Sequence, residues 1–256
     1  MMPRVTKMPK KTNQAVSYSV EGDVAVITLE RPSHRNAINE AMVVGLEAAW
    51  RRLEESDQRA AVLAARGNDF SVGLDLKAPP ADMWRCVPGV GVPVTKPVIA
   101  ATRGWCVGGG LIFVQMSDLC VAARDTRFLY PEAKVGITGG LITGLAMRIP
   151  AKIAMELMLL GEVMEADRAY QVGLINRVVE NGAELDAAKE MAKTIAGYAP
   201  LVTSALKEMV ADMTPRSGPD RSYRVKRMLD RIAKSDDFRE GVAAFAEKRP
   251  PDFKGS

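Results

Sequence analysis

Two glycine-bearing segments, DFSVGLDLK (residues 69–77) and RGWCVGGGLIF (103–113), carry the chemistry most readily read from this chain. Each follows an apolar, strand-like run, AAVLAA (60–65) and VIAAT (98–102), so each presents backbone N–H groups at the end of a strand. Gly73 accepts backbone conformations closed to other residues and lets a ligand approach the main chain. The next N–H, that of Leu74, is then free to point at it. In the second segment three glycines precede an apolar run that reads as a buried helix. That puts the N–H of Gly109 or Gly110 at a helix N-terminus, where the dipole favours negative charge. Two such donors converging on one oxygen form an oxyanion hole, worth several kcal/mol to an enolate or a tetrahedral oxyanion.

The remaining composition narrows the chemistry. The single histidine, His34, lies in ERPSHRNAIN, away from any nucleophile motif, so acid–base work falls to carboxylates rather than to a Ser-His-Asp arrangement. Cys86, Cys106 and Cys120 have neither the count nor the spacing of a disulfide framework or a zinc site, and are expected as reduced thiols with no metal bound. The 256 residues suffice for one large core, or for a core domain plus a helical appendage, and 47% hydrophobic with 26% charged residues is the balance of an ordinary soluble enzyme. Charges interrupt every apolar stretch before it reaches membrane-spanning length. The basic segment MMPRVTKMPKKTNQ (1–14) has no apolar core after it and is expected to be a disordered tail, with a cytoplasmic protein behind it. Of the net charge of +4, much lies in that tail and in Arg221, Arg224, Lys226, Arg227 and Arg231, which recur at helical spacing as a solvated face does. Nucleic acid is accordingly not the expected partner.

The elements that must position the glycine segments alternate through the first two thirds. VAVITLE (24–30), AAVLAA, VIAAT and DLCVAA (118–123) read as strands, and INEAMVVGLEAAWRRLEES (38–56) as an amphipathic helix. Strands separated by helices imply crossovers and a buried parallel sheet. After about residue 150 the strands are expected to stop. Helical patterns follow at 153–161, 165–174, 184–199, 201–213 and 220–247. The expected organisation is the tail (1–14), an α/β core (15–195) and a helical C-terminal region (196–256) forming one functional unit.

Six stretches in order resemble the enoyl-CoA hydratase/isomerase (crotonase) superfamily: ITLERPSHRNAIN (27–39), DFSVGLDLK, KPVIAATRGWCVGGG (96–110), SDLCVAARDTRFLYPEAKVGI (117–137), AMELMLLGEVMEADRAYQVGLINRVV (154–179) and AFAEKRPPDF (244–253). The resemblance implies an α/β fold with a spiral ββα core and a C-terminal helical trimerisation region, assembled as a homotrimer or hexamer. It implies an acyl-CoA thioester as substrate, with coenzyme A belonging to that substrate and no separate cofactor. The hole donors it marks are the N–H groups of Leu74 and Gly109. The loop around Arg35, Asn36 and Ala37 matches the CoA-binding edge, with Arg35 near a phosphate. Leu74, Asp75, Leu76 and Lys77 match the pantetheine and adenine path. Phe245 and Lys248 match positions from which a neighbouring subunit touches the nucleotide.

The pattern also breaks. Hydratases of the family use two glutamates, and Glu132 matches the second, while Ile112 occupies the position of the first. Replacing a carboxylate by isoleucine removes proton transfer and water orientation together. Hydration needs both; a 1,3-proton shift needs one base that takes a proton from one carbon and returns it to another. The chemistry expected is therefore double-bond isomerisation with Glu132 as proton shuttle, ahead of hydration. The alternatives are a hydratase, another lyase or hydrolase of this fold, or an inactive relative that binds CoA thioesters or RNA. The stretch GITGGLITG (136–144) is short and apolar, suggesting a dry acyl site, and in 76–96 Met83 and Trp84 are candidate pocket lining.

Overall fold

The computed structural model describes residues 15–256 apart from Ile137, without the side chains of Val225, Met228, Leu229, Phe245 and Ala246. The basic tail of residues 1–14 lies outside the described residues. The chain opens with an antiparallel hairpin, β1 (Val16–Glu21) and β2 (Val24–Leu29). Helix α1 (Glu40–Glu55) then crosses to β3 (Ala60–Ala65), which pairs parallel with β2. Asn39 caps α1 by accepting from the Met42 N–H, closing one of the orphan donors of a helix start. Further parallel pairings add β4 (Val98–Thr102), β6 (Leu119–Ala123) and β9 (Arg177–Val179), giving a six-stranded sheet in the order β1-β2-β3-β4-β6-β9.

Why these strands read as unbroken apolar runs follows from what covers them. One face, including Ala25, Ile27, Leu29, Ala61 and Leu63, packs against α1 through Met42, Leu46, Trp50 and Leu53. The other, including Val24, Ala60, Val62, Ile99 and Val121, packs against α6 (Glu184–Ala196) through Ala188, Ala192 and Ala196. Covered on both faces, a parallel sheet has no solvent side to call for polar residues. The alanine stripe of α6 recurs every four residues on one helix face, and its short side chains let the helix sit close to the sheet.

A smaller sheet carries the second glycine segment: β5 (Trp105–Val107), β7 (Arg127–Leu129) and β8 (Met164–Glu165), in the order β5-β7-β8. Between its strands lie α2 (Gly109–Met116) and the one-turn helix α3 (Glu132–Val135). Beyond these come α4 (Ala151–Leu160) and α5 (Ala166–Gln171), then α7 (Pro200–Met213), α8 (Gly218–Ala233) and α9 (Asp236–Glu247).

The expectation that strands stop near residue 150 is wrong: β8 and β9 both follow that point, and β9 completes the edge of the main sheet beside β6. Strands of two and three residues carry no readable alternation, and their pairing is set by tertiary contact. The helical run expected over 220–247 is broken between Ala233 and Asp236, where the Ser235 hydroxyl accepts from the Phe238 N–H and starts α9 afresh. No helix among the described residues is long and apolar enough to cross a membrane.

Candidate active site

The two glycine segments lie side by side because residues 70–75 run between β5 and the loop before α1. Ser71 N–H donates to the Trp105 carbonyl at 3.0 Å and the Val107 N–H to the Ser71 carbonyl at 2.9 Å. On the other flank the Ile38 N–H donates to the Gly73 carbonyl at 2.8 Å and the Asp75 N–H to the Ile38 carbonyl at 2.9 Å. The Gly73 N–H donates to the Ser71 hydroxyl at 3.2 Å, so the N–H groups on either side of Leu74 are used while its own has no acceptor among the described residues. Gly73 has φ of 86°, and a methyl group added there would stand 3.0 Å from the Val107 carbonyl oxygen and 3.5 Å from the Gly109 nitrogen. Glycine is needed on both counts, and its closeness brings the Leu74 peptide against the start of α2.

Gly109 is the first residue of α2, and its N–H has no acceptor among the described residues. This is the usual condition of a helix N-terminus, which leaves donors and a positive dipole end for an anionic group. The preceding Gly108, with φ of 51°, turns its Cα toward Glu132, and a methyl group at Gly108 would collide with the Glu132 Oε1. The Gly109 Cα faces side chains instead: a methyl group there would meet Ile38 Cδ1 at 2.7 Å and Met83 Cε at 3.1 Å.

Glu132 starts α3 directly after Pro131. Its Oε2 is buried and has no hydrogen-bond partner among the described residues. Burial raises its carboxyl from 4.5 to about 7, a value suited to taking and returning protons near neutrality. The Tyr130 hydroxyl, two residues earlier, is within 3.1 Å of the Thr138 hydroxyl. Nearby acids are engaged elsewhere: Asp69 with Arg35 at 2.6 Å, Asp75 with Arg31 at 3.1 Å, and Asp82 with the Tyr223 hydroxyl at 2.8 Å. Ile112, one turn into α2, is 2% exposed and belongs to the main hydrophobic core.

The expected CoA-edge residues separate into structural and exposed groups. Asn36 is fully buried at φ of 54°; its side chain accepts from the Arg31 N–H and donates to the carbonyls of Arg66 and Asp69. That makes it the anchor of the loop. Ala37 is buried and its carbonyl accepts from the Arg31 guanidinium. Arg35 is exposed and held through Nε by Asp69, and its outer guanidinium nitrogens have no partner among the described residues. Leu76 is 66% exposed, and Lys77 is exposed with no ion pair among the described residues. Lys248 follows α9 at φ of 54° and makes no hydrogen bond or ion pair to this region among the described residues. The Phe245 side chain lies outside the described residues. Sequence reasoning missed Tyr223, which lies about ninety positions beyond Glu132 in a segment without a motif. The three cysteines are all free and buried, and burial pushes Cys120 up to about 12.

The model of the family described as enoyl-CoA hydratase/isomerase matches residues 19–86 and 91–256 of this chain. Enoyl-CoA hydratase EchA19 of Mycobacterium tuberculosis is 32% identical over 250 residues, covering 91% of this chain and 94% of that protein. The (E)-benzylidenesuccinyl-CoA hydratase of Thauera aromatica is 34% identical, covering 94% and 99% respectively. Among solved structures, an enoyl-CoA hydratase from Mycobacterium tuberculosis superposes with a TM-score of 0.73 at 36% identity, over 95% of this chain and 100% of that one.

Proposed function

This chain belongs to the enoyl-CoA hydratase/isomerase family and is an acyl-CoA enzyme of the crotonase fold; from that premise we propose that it isomerises 3-enoyl-CoA to 2-enoyl-CoA in preference to hydrating the product. The thioester carbonyl oxygen accepts from the N–H groups of Leu74 and Gly109. Developing negative charge on that oxygen is stabilised there by fixed donors and by the α2 dipole, which need no rearrangement as the charge appears. Acidified by this interaction, C2 of the substrate loses a proton to the ionised Glu132 carboxylate, giving a dienolate. Glu132 then returns the proton to C4, the double bond settles between C2 and C3, and the carboxylate is regenerated.

The observation that carries this reading is the pairing of Glu132, half-buried, unpartnered at Oε2 among the described residues and raised to about 7, with apolar Ile112 one turn from Gly109. A second carboxylate is what a hydratase mechanism of this family requires to hold and activate water, and α2 supplies none. The relatives named above are hydratases, so the preference for isomerisation rests on this chain's own residues. CoA binding is assigned to Arg35, Ala37, Asp75, Leu76 and Lys77 along one edge, completed by Phe245 and Lys248 of a neighbouring subunit in a trimer or hexamer. Exposed apolar residues along α7, including Leu201 at 85% and Met213 at 85%, support such an assembly.

Glu132→Gln keeps the size of the side chain and removes the base. Isomerisation of 3-enoyl-CoA is expected to fall by about a hundred- to ten-thousand-fold, with acyl-CoA affinity retained. Unchanged turnover by a folded variant would remove Glu132 from the mechanism.

A further inference from the structure

The short 3-10 turn Met83–Cys86 sets Met83 against Gly109 at the start of α2 and Trp84 against Gly139 in the stretch after α3. Met83 Cε and Sδ lie over the Gly109 Cα, within 3.1 and 3.5 Å of where a methyl group would stand. The Trp84 ring packs against Gly139, where a methyl group would fall within the indole. Together they form a wall beside the residue that donates to the thioester oxygen. Its far end is fixed to α1: Trp50 Nε1 donates to the Cys86 carbonyl at 2.8 Å, and Arg85 binds Glu47 at 2.6 Å and Glu40 at 3.0 Å.

The near end has a different anchor. Asp82 divides its two oxygens: Oδ1 accepts from the Trp84 N–H at 3.1 Å and so starts the turn, while Oδ2 accepts from the Tyr223 hydroxyl at 2.8 Å. Tyr223 belongs to α8, is 8% exposed, and lies 141 positions along the chain from Asp82. The Lys226 ammonium also reaches Oδ2 at 3.4 Å and stands 5.1 Å from the Tyr223 ring centre. Pro219, at the start of the same helix, packs on Gly140 next to the Trp84 contact. One carboxylate therefore transmits the position of a C-terminal helix into the turn that walls the hole.

We infer that Tyr223 and Asp82 form a positioning pair that fixes the Met83–Trp84 wall and thereby limits the length of acyl chain the enzyme accepts. The inference rests on the reading that the Leu74 and Gly109 donors hold a thioester. Neither residue of the pair touches the reacting atoms; they act through the wall. Each methylene buried adds about 0.8 kcal/mol, or roughly fourfold in affinity, so a wall that stops burial shows as a plateau in affinity against chain length.

The test measures, by calorimetry, binding of saturated acyl-CoA thioesters from butanoyl to dodecanoyl to the full chain and to Tyr223→Phe, Asp82→Asn and Met83→Ala. The wild type is expected to gain affinity with length and then level off. Tyr223→Phe, which removes one hydroxyl, should move the plateau to longer chains by at least one methylene, about a fourfold tighter binding there, with short chains unaffected. Asp82→Asn leaves an acceptor for the Trp84 N–H and should act in the same direction, keeping the test open where Tyr223→Phe fails to fold. Met83→Ala should shift the plateau through the wall itself. A folded Tyr223→Phe or Asp82→Asn with the wild-type profile, or one that weakens all chain lengths equally, would overturn the inference. Failure of the wild type to bind any thioester would overturn the reading of the hole and this inference with it.

Discussion

At the scale of single residues, the consequences centre on Glu132. Its folded-state value of about 7 lies above the ordinary 4.5, so ionisation opposes folding. The stability lent by the neutral carboxyl is complete below 4.5 and is lost as pH rises through about 7. Glu132→Gln should therefore melt at a higher temperature than the wild type above about pH 7, with the difference vanishing toward 4.5. A thermal melt series across that range checks it; an equal gap at all pH values would mean that burial does not perturb this carboxylate. The same titration sets the acid limb of kcat/KM, which should rise through about 7 as the free enzyme gains its base. Asn36 is a residue of another kind. Its side chain makes three hydrogen bonds from a fully buried position, so Asn36→Ala should cost about 2–4 kcal/mol in denaturant unfolding.

Among elements, the site is made by two adjacent strand ends, and glycine permits their approach. Gly108→Ala forces φ of 51° on a side chain and drives a methyl group into Glu132 Oε1. Displacing the base by about an ångström should lower kcat about a hundredfold while leaving the far CoA contacts intact, seen as a kcat loss at nearly constant KM. Much of this was legible in the sequence. The runs at 60–65 and 98–102 coincide with β3 and β4, and the glycine segments that follow them lie together. Their legibility comes from local causes: apolar runs long enough to read and glycines with a steric reason. What sequence hid was set by distance along the chain. β1 escaped because only Val16 of its six residues is buried, leaving no alternation to read, and β8 and β9 because they are so short. The Asp82–Tyr223 bond escaped because nothing local marks either residue as half of a pair.

Across the whole molecule, the fold separates support from chemistry. A sheet covered on both faces holds β4, the smaller sheet carries β5, and the proposed hole lies at the start of α2, with Glu132 at the start of α3. The C-terminal helices carry a surface the core does not use: α7 buries none of its residues, and Leu206, Met209 and Val210 are more than half exposed. Such a face favours association, and sedimentation should give an oligomer that Leu206→Glu shifts toward the monomer. The reaction itself is the property of the molecule on which the account depends. The most direct measurement supplies 3-enoyl-CoA to the wild-type enzyme in water and follows both products over time. If Glu132 acts as the proton shuttle and Ile112 of α2 supplies no second carboxylate, 2-enoyl-CoA should accumulate with little 3-hydroxyacyl-CoA behind it. Formation of 3-hydroxyacyl-CoA at a rate comparable to isomerisation would contradict the account, because water would then be held and activated without the second glutamate.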